Sequence, residues 1–263
     1  MPVEGGHLWA DDTRGNGPAL VLLHPGWGDS SIWLPLLERL PPHCRVVRYD
    51  TRGFGKSPAP AAPFSQLGDL AAILDDRGVD RVVLVGHSGG AGTAIGLALA
   101  APARVRGMLL LAPGVPDYPW PPDDPYFRQF DQLYSAGDRD GLADLGLRTW
   151  AAAGADQAAQ AQVRGAADAF FRLGDYERPD PPAYSRLAQI QVPAVVIVGD
   201  QEYPMVASLC SRHCRQAHRL PADRRPGRRP PTAAAGADHD RRTGRQSGGL
   251  GPARLAACVP RSN

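Results

Sequence analysis

The chain has 263 residues, 43% of them hydrophobic, with four cysteines and a formal net charge of +2. That length can bury one sizeable core. The cysteines are too few and too scattered for a disulfide framework, and no apolar run approaches the ~18–20 residues of a membrane span. The opening MPVEGGHLWADD has neither a basic start nor a signal-type apolar core, so the expected location is cytoplasmic. The small net charge averages two unlike parts. Residues 1–210 carry 17 basic and 24 acidic residues, a balance of −7; residues 211–263 carry 12 arginines against 3 acidic residues, a balance of +9.

In chain order, ALVLLH (Ala19–His24) is a continuous apolar run, as expected of a strand covered on both faces. SIWLPLLERL (Ser31–Leu40) has apolar residues at helical spacing behind a serine start signal. RVVRYD (Arg45–Asp50) is the next strand, and Phe64–Gly78 an amphipathic helix closed by glycine. Arg81–Gly86 and Gly107–Ala112 are strands around a Gly/Ala-rich helix at Ala91–Ala101, and Ala194–Gly199 is the last clear strand. The alternation predicts an α/β fold with a mostly parallel sheet flanked by helices. Between the strands at Met108 and Ala194 a proline-rich exit leads into three helical stretches, 126–137, 139–154 and 156–174. Residues 115–187 are read as a helical cap over the carboxyl edge of the sheet, where open α/β sheets place ligands. The expected division is core at 1–114 and 188–210, cap at 115–187, and an arginine-rich, disordered tail at 211–263.

Gly86-His87-Ser88-Gly89-Gly90 places a serine between the strand at 81–86 and the helix that follows. A sharp turn there lifts Oγ above the sheet, and side chains two residues to either side would collide with neighbouring backbone. The helix start aims free N–H groups at a developing oxyanion. The competing readings are a glycine-rich turn with an incidental serine, or a phosphate-cradling loop.

LLHPGWGDSSIW (22–33) and YDTRGFGKS (49–57) complete a set that resembles the α/β-hydrolase superfamily, in particular its small capped esterase, lactonase and haloperoxidase-like group. The resemblance implies an α/β-hydrolase fold and a serine hydrolase acting on a small to medium carboxylic ester, lactone or related acyl substrate, without metal or cofactor. Perhydrolysis and C–C cleavage use the same parts. It implies Ser88 as nucleophile and the N–H groups of Gly26 and Gly89 as oxyanion donors. Pro25 stands where glycine is usual, and Trp27 is the substitute donor. The 49–57 turn is implied to be structural. The acid implied is Glu202, three residues after Gly199, ahead of Asp200, which reads as a helix cap, and Asp117. The insertion's aromatic residues (Trp120, Phe127, Phe130, Tyr134, Trp150, Phe170 and Phe171) mostly pack its own helices, a few lining an apolar pocket for uncharged acyl groups. The expected partner is a small molecule, neither nucleic acid nor membrane.

His24 and His87 belong to motifs with other roles, so the base is expected beyond residue 210. There, however, 211–263 has only four residues from Val, Ile, Leu and Phe, no Tyr or Trp, and no strand-like run. Three accounts compete. One is a basic arm for nucleic acid, though no aromatic interleaves the arginines. Another is a degenerate tail on a catalytically silent, ligand-binding hydrolase fold. The third and favoured account is a reading-frame shift. PGRRPP (226–231), written CCC GGG CGC CGA CCA CCN, becomes Pro-Gly-Ala-Asp-His when the first base is dropped, a phrase like the family's, with its histidine at position 230. Within the chain as it stands, AGADHD makes His239 the candidate base, with His218 behind it. Cys210, His213, Cys214 and His218 have metal-ligand types at short spacing but no second pair, and are read as chance neighbours.

Overall fold

The structure is a computed structural model that describes residues 1–151, 153–199, 201–204, 206–209 and, as backbone, 254–258. A small hairpin, β1 (Pro2–Val3) and β2 (Gly6–His7), precedes the main sheet. That sheet contains β3 (Ala10–Asp12), β4 (Ala19–Leu23), β5 (Arg45–Tyr49), β6 (Val82–His87), β7 (Val105–Leu111), β8 (Ala194–Val198) and β9 (Arg254–Cys258), in the order β3-β5-β4-β6-β7-β8-β9. β5, β4, β6, β7 and β8 run parallel, while the two edge strands are antiparallel to their neighbours.

The apolar runs of the sequence are explained by the two faces. Val21 and Leu23 of β4 pack with Val47, Val82 and Leu84 on one side. Leu22, between them, packs with Trp33, Val46 and Val85 on the other. Alternate side chains therefore enter separate cores, and no position on the strand is left for a polar residue. α2 (Gln66–Asp76) and α3 (Gly89–Ala100) contact each other, and their buried residues belong to the first of these cores.

The expected helix at 31–40 is shorter than its periodicity suggests. A 3-10 turn, Ser30–Trp33, capped by Asp29 (Oδ1 accepting Ser31 N–H at 2.8 Å), leads into a single helical turn, α1 (Leu34–Leu37). Pro35 is tolerated only in a first turn, and Pro41 and Pro42 prevent extension.

α4 (Pro125–Ser135), α5 (Arg139–Trp150) and α6 (Gln157–Leu173) occupy the three helical stretches between β7 and β8. Each starts on an aspartate: Asp124 caps Tyr126 N–H, Asp138 caps Gly141 N–H, and Asp156 caps Ala159 N–H. Their common core holds Tyr126, Leu142, Ala143, Leu145 and Ala167.

One expectation is corrected. Residues 211–263 do contain a strand, β9, paired with β8 in the register Val196↔Ala256. The pairing uses backbone N–H and C=O groups at an otherwise open edge, which a search for β-branched and aromatic side chains does not register. The rest of 211–263, including the positions of His218 and His239, lies outside the described residues, as do Asp200 and the four-residue Cys/His cluster.

Candidate active site

β6 ends at His87 and α3 begins at Gly89, leaving Ser88 alone in the turn. Its backbone sits at φ 51°, ψ −116°, a region that costs a non-glycine residue on the order of 1–3 kcal/mol. Four backbone hydrogen bonds hold it there. Ser88 N–H donates to Leu111 O at 2.9 Å, and Ser88 O accepts from Ala91, Gly92 and Gly114 N–H at 3.0, 3.1 and 3.0 Å. The flanking glycines allow the turn. A Cβ on Gly86 would stand 2.6 Å from Ala91 Cα, and one on Gly90 would stand 2.5 Å from Leu23 O. The Ser88 side chain makes no capping hydrogen bond and is half-exposed, so its hydroxyl is not consumed by the helix it precedes.

Gly26 lies close to Gly89, the residue that follows Ser88, while Ser88 itself is not among the residues lining the cavity these two glycines share. Gly26 N is 3.9 Å from the point where a Gly89 Cβ would sit, and both glycines line one cavity of about 640 Å³. Trp27 does not line it. Its ring is turned into the insertion, where Nε1–H donates to Tyr126 Oη at 2.9 Å and the ring meets Phe130 and Phe170 edge-on. Of these two positions only Gly26 lines the cavity.

His24 is buried and fully engaged. Thr51 N–H donates to Nε2 at 3.0 Å, which fixes the proton on Nδ1, and Nδ1–H donates to Pro25 O at 2.8 Å. Burial holds its pKa below the ordinary imidazole value. The ring staples the end of β4 to the 49–57 turn, leaving neither nitrogen free for a serine. Burial brings His87 down to about 4, and that residue does not line the cavity. The turn itself is structural. Asp50 accepts Ser30 and Lys56 N–H at 2.7 and 2.8 Å, and Arg52 makes a two-pronged ion pair with Asp69 at 2.6 and 2.9 Å.

Of the acid candidates, Glu202 follows β8, is half-buried, and accepts Tyr203 N–H at 3.0 Å through Oε1. Asp117 lines the cavity, but its Oδ1 is spent on Ala183 and Tyr184 N–H at 2.6 and 2.7 Å, tethering the chain where it returns from the insertion. The cavity wall also includes Phe54, Trp120, Phe170, Leu173, Thr93, Gln66, Glu177 and Asp180. Of the insertion's aromatics, Trp120 and Phe170 face this space. Phe127, Phe130, Trp150 and Phe171 pack against the insertion's own core, and the exposed Tyr134 stacks on Phe130 and Phe171. Among the described residues, no three His, Cys, Asp or Glu side chains could hold a metal ion, and no helix is long and apolar enough to cross a membrane.

The sequence pattern of the Alpha/beta hydrolase family matches residues 20–244, from β4 through the elbow and the insertion and beyond Glu202. The chain belongs to this family. Among curated relatives of this alpha/beta hydrolase, an epoxide hydrolase 2 of Siraitia grosvenorii is 36% identical over 107 residues, covering 37% of this chain and 33% of that protein. A pimeloyl-[acyl-carrier protein] methyl ester esterase of Nitrosomonas europaea is 37% identical over 120 residues, covering 43% and 46%. The chain thus spans between a third and a half of the length of these relatives. The enol-lactonase structure from Burkholderia xenovorans LB400 superposes with a TM-score of 0.59 over 78% of this chain and 83% of that one; at 24% identity it speaks for the fold.

Contacts between this alpha/beta hydrolase's insertion and its loop at 24–31 have no motif in the sequence. Gln162 of α6 and Trp27 make them, and Gly28, whose Cβ would meet Gln162 Oε1 at 2.6 Å, was the one available sign of a close approach there.

Proposed function

We propose that this alpha/beta hydrolase is a serine hydrolase of small to medium carboxylic esters, lactones or related acyl compounds. The observation that carries the reading is the elbow at Ser88, strained, uncapped and half-exposed, with Gly26 and Gly89 N–H beside it. Ser88 Oγ attacks the acyl carbon while a histidine takes its proton, and the two N–H groups stabilise the resulting oxyanion. Collapse expels the alcohol, protonated by the same histidine. Water then repeats the sequence to release the acid. Glu202 orients the imidazole through its Nδ1–H, and His239 is the candidate for that histidine if the reading frame of the tail stands as written. Serine chemistry favours an acyl substrate over an epoxide, because water can cleave a seryl ester but not the seryl ether that epoxide opening would leave. The aromatic wall and the carboxylates Asp117, Glu177 and Asp180 favour uncharged acyl groups over anionic ones.

A fluorophosphonate probe should label the wild type at Ser88 and leave Ser88→Ala unlabelled. A folded but unlabelled wild type would sink the reading. A second reading, a silent ligand-binding fold, draws on His24, the cavity's one histidine among the described residues, having both nitrogens taken. It expects equal background turnover of p-nitrophenyl acetate and butyrate by wild type and Ser88→Ala. Resequencing codons 205–263 tests the frame-shift account. An unchanged frame, with activity lost in His239→Ala, would make His239 the base.

A further inference from the structure

We propose that Gln162, on α6 of the insertion, is a positioning residue for the oxyanion loop, reaching the Gly26 donor through Asp29 and Ser31. Three consecutive residues of that loop are gripped from opposite sides. From the sheet side, Asp50 accepts Ser30 N–H at 2.7 Å. From the insertion side, the Gln162 carboxamide accepts Asp29 N–H at 2.7 Å through Oε1, and donates through Nε2 to Asp29 Oδ1 at 2.9 Å and to Ser31 Oγ. The amide orientation follows from its partners, since a backbone N–H can only donate and an ionised carboxylate can only accept. Burial alone would raise the Asp29 carboxyl. Hydrogen bonds from Ser31 and Gln162 bring it below its ordinary value, so the acceptor stays charged.

Gly28 is what lets the amide in, because any side chain there would occupy the place of Oε1. Trp27, one residue nearer the donor, is seated in the insertion by its bond to Tyr126 and its contacts with Phe130 and Phe170. Gly26 itself has no side chain, and among the described residues nothing lies within 4 Å of where its Cβ would be. Its N–H direction is therefore set by its neighbours: His24 and Pro25 on one side, and the Trp27–Ser31 segment held by the insertion on the other. An oxyanion donor stabilises the transition state only if it is aimed before charge develops, so the insertion contributes to rate and not merely to pocket shape.

The kinetic arm of the test rests on the acyl chemistry proposed above; the second arm does not. Gln162→Leu keeps most of the side-chain volume and removes all three bonds. It is expected to lower kcat about 10- to 100-fold, approaching the 10²–10³-fold of losing one oxyanion donor, while KM changes less than about twofold. Deuterium uptake in a peptide covering His24–Ser31 should quicken about tenfold or more, with α6 peptides as protected as before. Gln162→Glu supplies a signature that a purely structural role would not move. It keeps the acceptor for Asp29 N–H but sets a carboxylate against Asp29, a repulsion relieved when the introduced carboxyl is protonated and donates in place of the amide. The other titratable or charged groups at this loop are Asp50; His24, which acts electrostatically on Asp29; and Arg48, whose Nη1–H donates to Ser30 O at 3.2 Å. All three are present in variant and wild type alike. The variant-to-wild-type ratio of kcat, and of loop uptake, should therefore approach unity as pH falls from about 8 to about 5.

Unchanged loop uptake in Gln162→Leu, a rise in KM at constant kcat, or a pH-independent ratio in Gln162→Glu would each overturn the proposal. If the wild type turns over no ester yet the uptake change and its pH dependence are present, the ester-hydrolase reading falls and the clamp stands.

Discussion

Arg52 sits at the crossing of three elements, and replacing it with leucine shows what the 49–57 turn contributes. Its guanidinium and the Asp69 carboxylate on α2 are 3% and 4% exposed. The remaining donors reach Gly5 O at 3.1 Å and Glu4 O at 2.7 Å, and the fork lies 4.7 Å above the Phe64 ring. The carbonyls lie in the part-exposed N-terminal hairpin, where water replaces a lost donor cheaply, so the orphaned carboxylate dominates. Removing one partner of a buried pair costs about 3–5 kcal/mol, a large part of a total margin of ~5–15 kcal/mol. At roughly 2–4 °C per kcal/mol for a domain of this size, the melting temperature falls by roughly 6–20 °C. Burial already pushes the Asp69 carboxyl up, with Arg52 pulling the other way, so losing Arg52 raises it further. A carboxyl whose folded pKa exceeds its unfolded value takes up its proton more readily in the folded state. The variant's deficit should therefore shrink as pH is lowered from 7 toward about 5. Urea unfolding followed by tryptophan fluorescence at both pH values measures this. Arg52→Leu/Asp69→Leu should recover most of the loss, since apolar groups can replace a buried pair at little cost. A single-variant loss below about 1 kcal/mol, or a double variant no more stable than the single, would refute the reasoning.

Gly90→Ala forces a methyl to within 2.5 Å of Leu23 O. It should cost about 1–3 kcal/mol in urea melts and abolish fluorophosphonate labelling; full labelling would show that the elbow tolerates the shift. Burial lowers the pKa of both His24 and His87, the latter to about 4. The unfolded chain therefore takes up protons that the folded chain refuses, and unfolding free energy falls as pH drops from about 6.5 toward about 4. His87→Gln should flatten part of that slope, and an unaltered slope in urea midpoints would count against the assignment.

The central strands could be read from sequence because burial on both faces leaves a continuous apolar run, as with Leu22 set between Val21 and Leu23 in two different cores. The elbow was legible because steric exclusion at Gly86 and Gly90 leaves only glycine there. The three insertion helices follow the helical stretches at 126–137, 139–154 and 156–174, and the structure adds Asp124, Asp138 and Asp156 as the caps at their starts. What failed to show was of another kind. The turn at 30–37 carries helical spacing, yet Pro35 and the prolines after it cut the helix short. β9 pairs through main-chain groups that leave no side-chain pattern. The Gln162–Asp29 clamp joins residues 133 apart, and nothing local in either segment names its partner. Asp117 is an acid candidate by position alone, and nothing local in the sequence announces that its Oδ1 accepts Ala183 and Tyr184 N–H.

The φ of 51° at Ser88 also sets a conflict between durability and chemistry. A glycine at this position would adopt the same backbone without the steric penalty that serine bears. Ser88→Gly should accordingly raise the urea midpoint, by up to the ~1–3 kcal/mol stored in the turn less the ~0.5–1 kcal/mol that glycine's unfolded freedom takes back, while ending fluorophosphonate labelling. Random variants selected for heat resistance alone would then drift toward glycine at this residue. Such a screen, run with no substrate in it, would discard the very hydroxyl that the proposed chemistry requires.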